Sequence, residues 1–225
     1  MKSFDAVVFD MDGVLIDSTP LHREAFVRAL APYAIDTVDY GPIAGMRTPD
    51  AFRKIFAARG RSVDEAEVEA LTVAKRAAFR ALTSEGLPYV EGAIAIVCAL
   101  GAAGYRVALA SSGSPESVAT FVRESGLGDV FEVVLHGNDV PAAKPDPAIY
   151  LLAAERLGVS PARTLVVEDS RAGIAAGLAA GAAVVAFRPT PDVLAAVRPA
   201  RVRRVDALAD VLCLLANDEA GPHRG

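Results

Sequence analysis

The chain has 225 residues, a net charge of −5 and lysines and arginines scattered along its length. That is enough for one large domain or two small ones, and it excludes a basic nucleic-acid footprint. Two cysteines, Cys98 and Cys213, fit no metal or disulfide spacing; both fall in apolar helical patterns and read as reduced core residues of a cytoplasmic protein. The longest uncharged run, Ala172 to Phe187, is interrupted by glycine and too short for a membrane span. The N-terminus enters a strand directly, with no signal-peptide pattern.

Ala6 to Phe9 read as a strand buried on both faces, ending at Asp10-Met11-Asp12. Carboxylates two residues apart in extended chain project to the same side. After Ser18 or Thr19, either of which can cap, a helix repeats through Leu21, Ala25, Phe26, Ala29, Leu30 and Tyr33. Thr48-Pro49-Asp50 starts a second helix, stopped at Gly60. Ser62-Val63-Asp64-Glu65 reads as a capping box opening a third, which runs to Gly86. No strand pattern interrupts this stretch, so 18–86 is expected to be an all-helical insert.

From Leu87 the pattern alternates. A helix over 91–100 leads to a strand over 106–110 ending at Ser111, and a helix from Ser114 stops at Gly126. A strand over 131–135 is followed by the loop PAAKPDP and a helix over 147–157. A strand over 164–167 ends at Glu168-Asp169; then come a small-residue helix, a strand over 183–187 and a last helix over 207–216. Alternation of this kind implies a doubly wound Rossmann-like parallel sheet with right-handed crossovers. The expected core is 1–17 with 87–217, and the tail 218–225 is expected to fray.

In such sheets ligands bind beyond the carboxyl ends of the strands. Asp10 and Asp12, Ser111, Lys144, and Glu168 with Asp169 all fall there. Carboxylates with a lysine and a hydroxyl suit a hard cation such as Mg²⁺ and a phosphate; the absence of a His/Cys cluster excludes zinc. Asp10 is the candidate nucleophile and Asp12 the candidate acid/base. Ser111 and Lys144 are candidate phosphate binders, and Glu168 and Asp169 candidate holders of the metal.

FDMDGVLIDS, ALASSG, AKPDP and VVEDSRAGI resemble, in order, the four motifs of the haloacid dehalogenase superfamily, phosphatase branch, and the helical insert resembles that family's cap domain. The resemblance covers essentially the whole chain and extends to β-phosphoglucomutase and phosphoglycolate phosphatase-like proteins. It implies a Mg²⁺-dependent phosphatase acting on a small phosphorylated metabolite through an aspartyl-phosphate. In that reading Asp10 is nucleophile, Asp12 acid/base, Ser111 and Lys144 bind phosphate, and Asp10, the Asp12 carbonyl, Glu168 and Asp169 lie at the metal. Neither nucleic acid nor membrane is an expected partner, and a monomer or weak dimer is expected.

The alternative is a mutase of the β-phosphoglucomutase type. Val-Glu-Asp-Ser at the fourth motif and His22 in the first cap helix resemble that enzyme. Ala44 stands where its cap lysine would be, Pro115 where its asparagine would be, and a second cap lysine falls near Ala77, beside Lys75 and Arg76. Arg47 in the cap loop either reaches the substrate or is a surface residue, and His22 reads as a hinge-side residue. A phospho-receiver module is disfavoured by the motif order, and a silent binding protein by the complete core set.

Overall fold

The computed structural model describes residues 2–196 and 202–220. Six parallel strands, β1 (Ala6–Phe9), β2 (Arg106–Ala110), β3 (Val133–Leu135), β4 (Thr164–Glu168), β5 (Ala183–Phe187) and β6 (Val202–Val205), form one sheet in the order β3-β2-β1-β4-β5-β6. The chain winds outward from β1 in one direction and, after crossing back to β4, outward in the other. The crevice of a doubly wound sheet opens at such a reversal, here between β1 and β4.

Register determines which residues meet there. Phe9 pairs with Val167 on one side and with Leu109 on the other. Asp10 is therefore level with Glu168 across a strand spacing of about 4.8 Å, and Ser111 lies one residue beyond the opposite neighbour. Along β1, side chains alternate. Val7 and Phe9 join a cluster with Val97, Leu100, Phe121 and Val211, contributed by α4 (Ala93–Ala102), α5 (Pro115–Ser125) and α9 (Ala209–Ala220). Ala6 and Val8 join Ile149, Tyr150, Leu157 and Ile174 on the other face, from α6 (Ala148–Leu157) and α7 (Arg171–Ala179).

Between β1 and α4 lie only helices and short turns. These are α1 (Thr19–Leu30), α2 (Thr48–Ala57) and α3 (Glu65–Leu82). They bury their own cluster, in which Phe26, Leu30, Phe52, Ile55, Phe56 and Leu71 meet. Phe26 packs edge-on to Phe52 with ring centres 5.0 Å apart.

Several local expectations are corrected. The α3 capping box is formed by Asp64 and Glu67, two residues later than Ser62 and Glu65. Ser18 occupies the cap position of α1 without capping it; its hydroxyl is used elsewhere. Cys98 and Cys213 are exposed, not core residues. α4 is apolar all round, and its buried stripe (Ala93, Ile96, Val97, Leu100) leaves Cys98 on the outer face. A short helix, α8 (Pro191–Ala196), and β6 were not expected. β6 reads Val-Arg-Arg-Val, an edge strand with two exposed arginines and no apolar run. The last helix continues to Ala220, past residue 217, and 221–225 lie outside the described residues. No helix among the described residues is long and apolar enough to cross a membrane.

The helical insert has a cluster separate from those of the sheet, which makes its stability separable. Phe52→Ala, at a fully buried position, is expected to cost about 3–5 kcal/mol. Hydrogen exchange should show the loosening concentrated in α1–α3; equal loosening of β1 and β4 would contradict separate cores.

Candidate active site

Lys144 sits behind Asp10 with its side chain fully enclosed. Its ammonium donates to Asp10 Oδ1 at 2.6 Å, to Glu168 Oε1 at 2.8 Å and to the Ala110 carbonyl at 3.1 Å. An ammonium has three protons, so all are committed. Glu168 is also saturated. Oε1 accepts from Lys144 and from the Tyr150 hydroxyl at 2.8 Å; Oε2 accepts from the Asp169 and Ser170 amides and the Ser170 hydroxyl, each at 3.0 Å. Ser170 in turn caps α7 by accepting from the Gly173 amide. No Cβ fits at Gly173, where one would lie 1.7 Å from Glu168 Oε1.

Asp10, Glu168 and Asp169 each bring a carboxylate oxygen within 4.8 Å of the others. Burial, reinforced by the Glu168 and Asp12 charges against the pull of Lys144, pushes the Asp10 carboxyl up to about 8. Burial, then the Glu168 and Asp10 charges, drives Asp169 well above the usual carboxylate range. Burial alone would raise Glu168 as well, but Lys144 and its hydrogen bonds outweigh it and hold that carboxyl low. One lysine therefore does not compensate three carboxyls, and Asp10 and Asp169 hold their protons more tightly than a free carboxyl does. That donor set of hard oxygens, crowded beyond what the local cation compensates, fits a divalent cation such as Mg²⁺.

Asp12 belongs to a second set of contacts. Its Oδ1 accepts from the Ser18 hydroxyl at 2.6 Å and lies 2.8 Å from His22 Nε2; Lys75 Nζ lies 2.6 Å from His22 Nδ1. Lysine can only donate, so Nδ1 accepts and Nε2–H donates to Asp12. Burial depresses the imidazole below the ordinary histidine range, in keeping with this neutral tautomer. Burial also lowers the Lys75 ammonium to about 8. For Asp12, burial works upward, but His22, the Ser18 hydroxyl and the Lys75 charge win and hold the carboxyl at about 2. Among the described residues both side-chain hydrogen bonds of Asp12 fall on Oδ1, leaving Oδ2 for the cavity.

That cavity, of about 400 Å³, lies between the sheet and the helical insert and is lined by Asp10, Asp12, Asp169, His22, Arg47 and Lys75 among others. Ser111 is buried beneath its floor, its Oγ accepting from the Gly113 amide at 2.9 Å. Two ties close the insert over it. The Ser112 hydroxyl donates to the Gly45 carbonyl at 2.8 Å, and the Arg47 guanidinium donates to the Pro141 carbonyl at 3.1 Å and to that of Val140. Of the Arg47 nitrogens, Nε is buried without a hydrogen-bond partner.

The candidates Asp10, Asp12, Lys144, Glu168 and Asp169 thus meet at one place. Arg47 reaches the cavity wall but gives its terminal nitrogens to the core. Ser112, in the loop after β2, is one of the ties. His22 and Lys75 also reach the site, and each carries a signal in the sequence. Lys75 continues the buried stripe of α3 after Val68, Leu71 and Thr72, and His22 precedes the Ala25–Phe26 stripe of α1 by one turn. A titratable residue at a core position of a helix marks a group with a buried partner. Tyr150 looked like an ordinary core aromatic, and nothing in its spacing disclosed the contact with Glu168.

Residues 4–181 match the model of haloacid dehalogenase-like hydrolases. A phosphorylated carbohydrates phosphatase from Thermotoga maritima is 33% identical over 190 residues, 79% of this chain and 82% of that one. A CbbY structure from Rhodobacter sphaeroides, in complex with xylulose-(1,5)bisphosphate, superposes with a TM-score of 0.79 at 26% identity, covering 94% of this chain and 99% of that one. A putative β-phosphoglucomutase from Bacteroides vulgatus shares the fold with a TM-score of 0.83 at 22% identity, covering 99% and 91%.

If the carboxylate cluster holds Mg²⁺, the ion must displace protons from Asp10 and Asp169, so its affinity should rise from pH 6 to pH 8. Saturating Mg²⁺ should raise the melting temperature of the wild type, by mass action on the folded state. Asp169→Asn should remove that rise; an undiminished shift in the variant would place the ion elsewhere.

Proposed function

Because the chain belongs to the haloacid dehalogenase-like hydrolase family, we propose that it is a Mg²⁺-dependent phosphatase of small phosphorylated carbohydrates, working through a phosphoryl group carried on Asp10. The observation that carries this reading is the pair of frames around the two first-motif aspartates. Asp10 is held from the sheet side by Lys144 within a carboxylate cluster, and Asp12 from the helical insert by His22. Both line one cavity. The name of the Thermotoga relative supports the substrate class, as does the sugar bisphosphate bound by the Rhodobacter protein.

In the first half-reaction an Asp10 carboxylate oxygen attacks phosphorus, the ester P–O bond breaks, and Asp12 delivers a proton to the departing oxygen. In the second, water attacks the same phosphorus, gives a proton to Asp12, and frees phosphate and the Asp10 carboxylate. Asp12 is ionised before substrate arrives, and the dianionic phosphate raises its carboxyl so that it can take up the proton it delivers. Lys75 and His22 fix which oxygen of Asp12 faces the substrate. Lys144 offsets the charge of Asp10 and Glu168 as the phosphate approaches. Mg²⁺, held by Asp10, Asp169 and the Asp12 carbonyl with saturated Glu168 behind them, would supply the positive charge that lets a carboxylate meet a phosphate.

We place the cap at 18–86, its hinges at Asp17–Ser18 and Gly86–Pro88, and closure at the Ser112 and Arg47 ties, which exclude bulk water from the acyl-phosphate. Two exposed unpaired thiols fit a reducing compartment such as the cytoplasm. The mutase reading gains one observation: Lys75, two positions before Ala77, does reach the site. Ala44 and Pro115 leave it without the other two groups.

A panel of sugar phosphates with Mg²⁺ should release phosphate from a few related esters, and Asp10→Asn should lower kcat by about 10³-fold or more with an unchanged circular dichroism spectrum. Isomer conversion without phosphate release would favour the mutase; wild-type turnover in the variant would remove Asp10 from the chemistry.

A further inference from the structure

The cap helix α3 turns two more cations to the cavity than the hydrolysis uses. Its buried stripe leads through Lys75 to Phe79, whose ring stacks on His22 with centres 4.2 Å apart. Beside that stripe Arg76 and Arg80 stand four residues apart, about 6 Å along the helix axis, and both line the cavity. The facing wall is the start of α5, with Ser114, Glu116 and Ser117.

The other arginines of the cap are committed or lie elsewhere: Arg23 lines a separate surface cleft beside Asp36 and Asp39, Arg28 pairs with Glu24 and Arg61 with Glu67. Arg53 binds Asp50 and Glu65, Arg59 binds the Ile55 and Thr37 carbonyls, and Arg47 binds the core. Among the described residues, neither Arg76 nor Arg80 has a side-chain hydrogen bond or ion pair. The opposing charge they feel is Glu116, whose carboxyl is lowered by hydrogen bonds from its own backbone and Ser114 and then by these two arginines. Two guanidiniums against one carboxylate leave this lobe positive, while the floor carries Asp10, Asp12 and Asp169. The cavity is thus polarised end to end. Its volume of about 400 Å³ is in the range that takes a whole small ligand.

We propose that Arg76 and Arg80 form a second anion subsite, so that the preferred substrate is a small phosphomonoester bearing a second phosphate or carboxylate at its far end. Guanidinium is the group that recognises such oxyanions with paired N–H donors. The inference rests on the phosphatase reading and narrows its substrate class. The competing role for the pair is mechanical, pinning the closed cap to Glu116.

The test compares ligands that differ only in the second phosphate: fructose 1-phosphate with fructose 1,6-bisphosphate, and ribulose 5-phosphate with ribulose 1,5-bisphosphate. Binding is measured by calorimetry with Mg²⁺ in the Asp10→Asn protein, where no turnover intervenes. For at least one pair the bisphosphate should bind about tenfold tighter or more, and adding Arg76→Ala and Arg80→Ala should shrink that ratio to within about twofold of one. Glu116→Gln should tighten bisphosphate binding, because it removes the competing carboxylate. Equal affinities within both pairs, or a ratio that survives loss of both arginines, would overturn the subsite. A loss of bisphosphate affinity in Glu116→Gln as large as in the arginine variant would assign the pair to cap pinning instead. Wild-type turnover of the same four compounds is followed in parallel. Its absence would count against the phosphatase reading, while the binding ratios still judge the subsite.

Discussion

Three carboxylates and one ammonium crowd the tips of β1 and β4, and much of the neighbouring structure serves to keep them there. Burying charge costs several kcal/mol per ion unless each is paired and its hydrogen-bonding capacity filled. Lys144 meets that demand with three donors, all used, and Glu168 with two oxygens, both filled by Lys144, Tyr150 and the start of α7. Space is cleared for the carboxylates by glycines. A Cβ at Gly173 would overlap Glu168, and one at Gly13, whose φ is +83°, would come within 2.0 Å of Asp169 Oδ2. Asp10 and Asp169 are the carboxyls this pairing does not fully compensate, and both are raised above the usual carboxylate range.

Asp12 shows a different economy. Two residues from Asp10, it takes its partners from the helical insert: Ser18 at the insert's start, His22 on α1, and through His22 the Lys75 amine on α3. The two first-motif aspartates therefore take their partners from different parts of the chain. In the proposed mechanism, the sheet positions the nucleophile and the helical insert positions the acid/base. Ser112 and Arg47 join the two parts on the far side of the cavity. The proposed mechanism would thereby tie proton transfer to closure, with Asp12 aligned when water is excluded.

The fold was largely legible because its signals are local and repeated: apolar runs of strand length, each ended by a polar residue and followed by a helix with its own cap or stop. β6 was not legible. An exposed edge strand has little need of apolar residues, and Val-Arg-Arg-Val matches neither period. Cys98 was misread because an Ala-rich helix that is apolar on every side does not show which face is buried, and Cys213 because the run 211–216 around it is apolar throughout. In the site, strand-end residues were visible because topology alone brings them together. His22, Lys75 and Tyr150 depend on how α1, α3 and α6 pack, which no spacing along the chain specifies. Lys75 and His22 did leave a trace, as titratable residues in an apolar stripe; Arg76 and Arg80 left none, since charged residues beside a stripe are the ordinary surface of a helix.

The central claim is that Asp10 carries the phosphoryl group between the two halves of the reaction. Turnover quenched in acid within milliseconds, followed by digestion and mass spectrometry, tests it most directly. The account predicts a peptide heavier by one phosphoryl group, with the modification at Asp10 and absent when Asp10 is replaced by asparagine. Phosphate release at full rate with Asp10 unmodified at every quench time, or a phosphoryl group found on another residue, would contradict it.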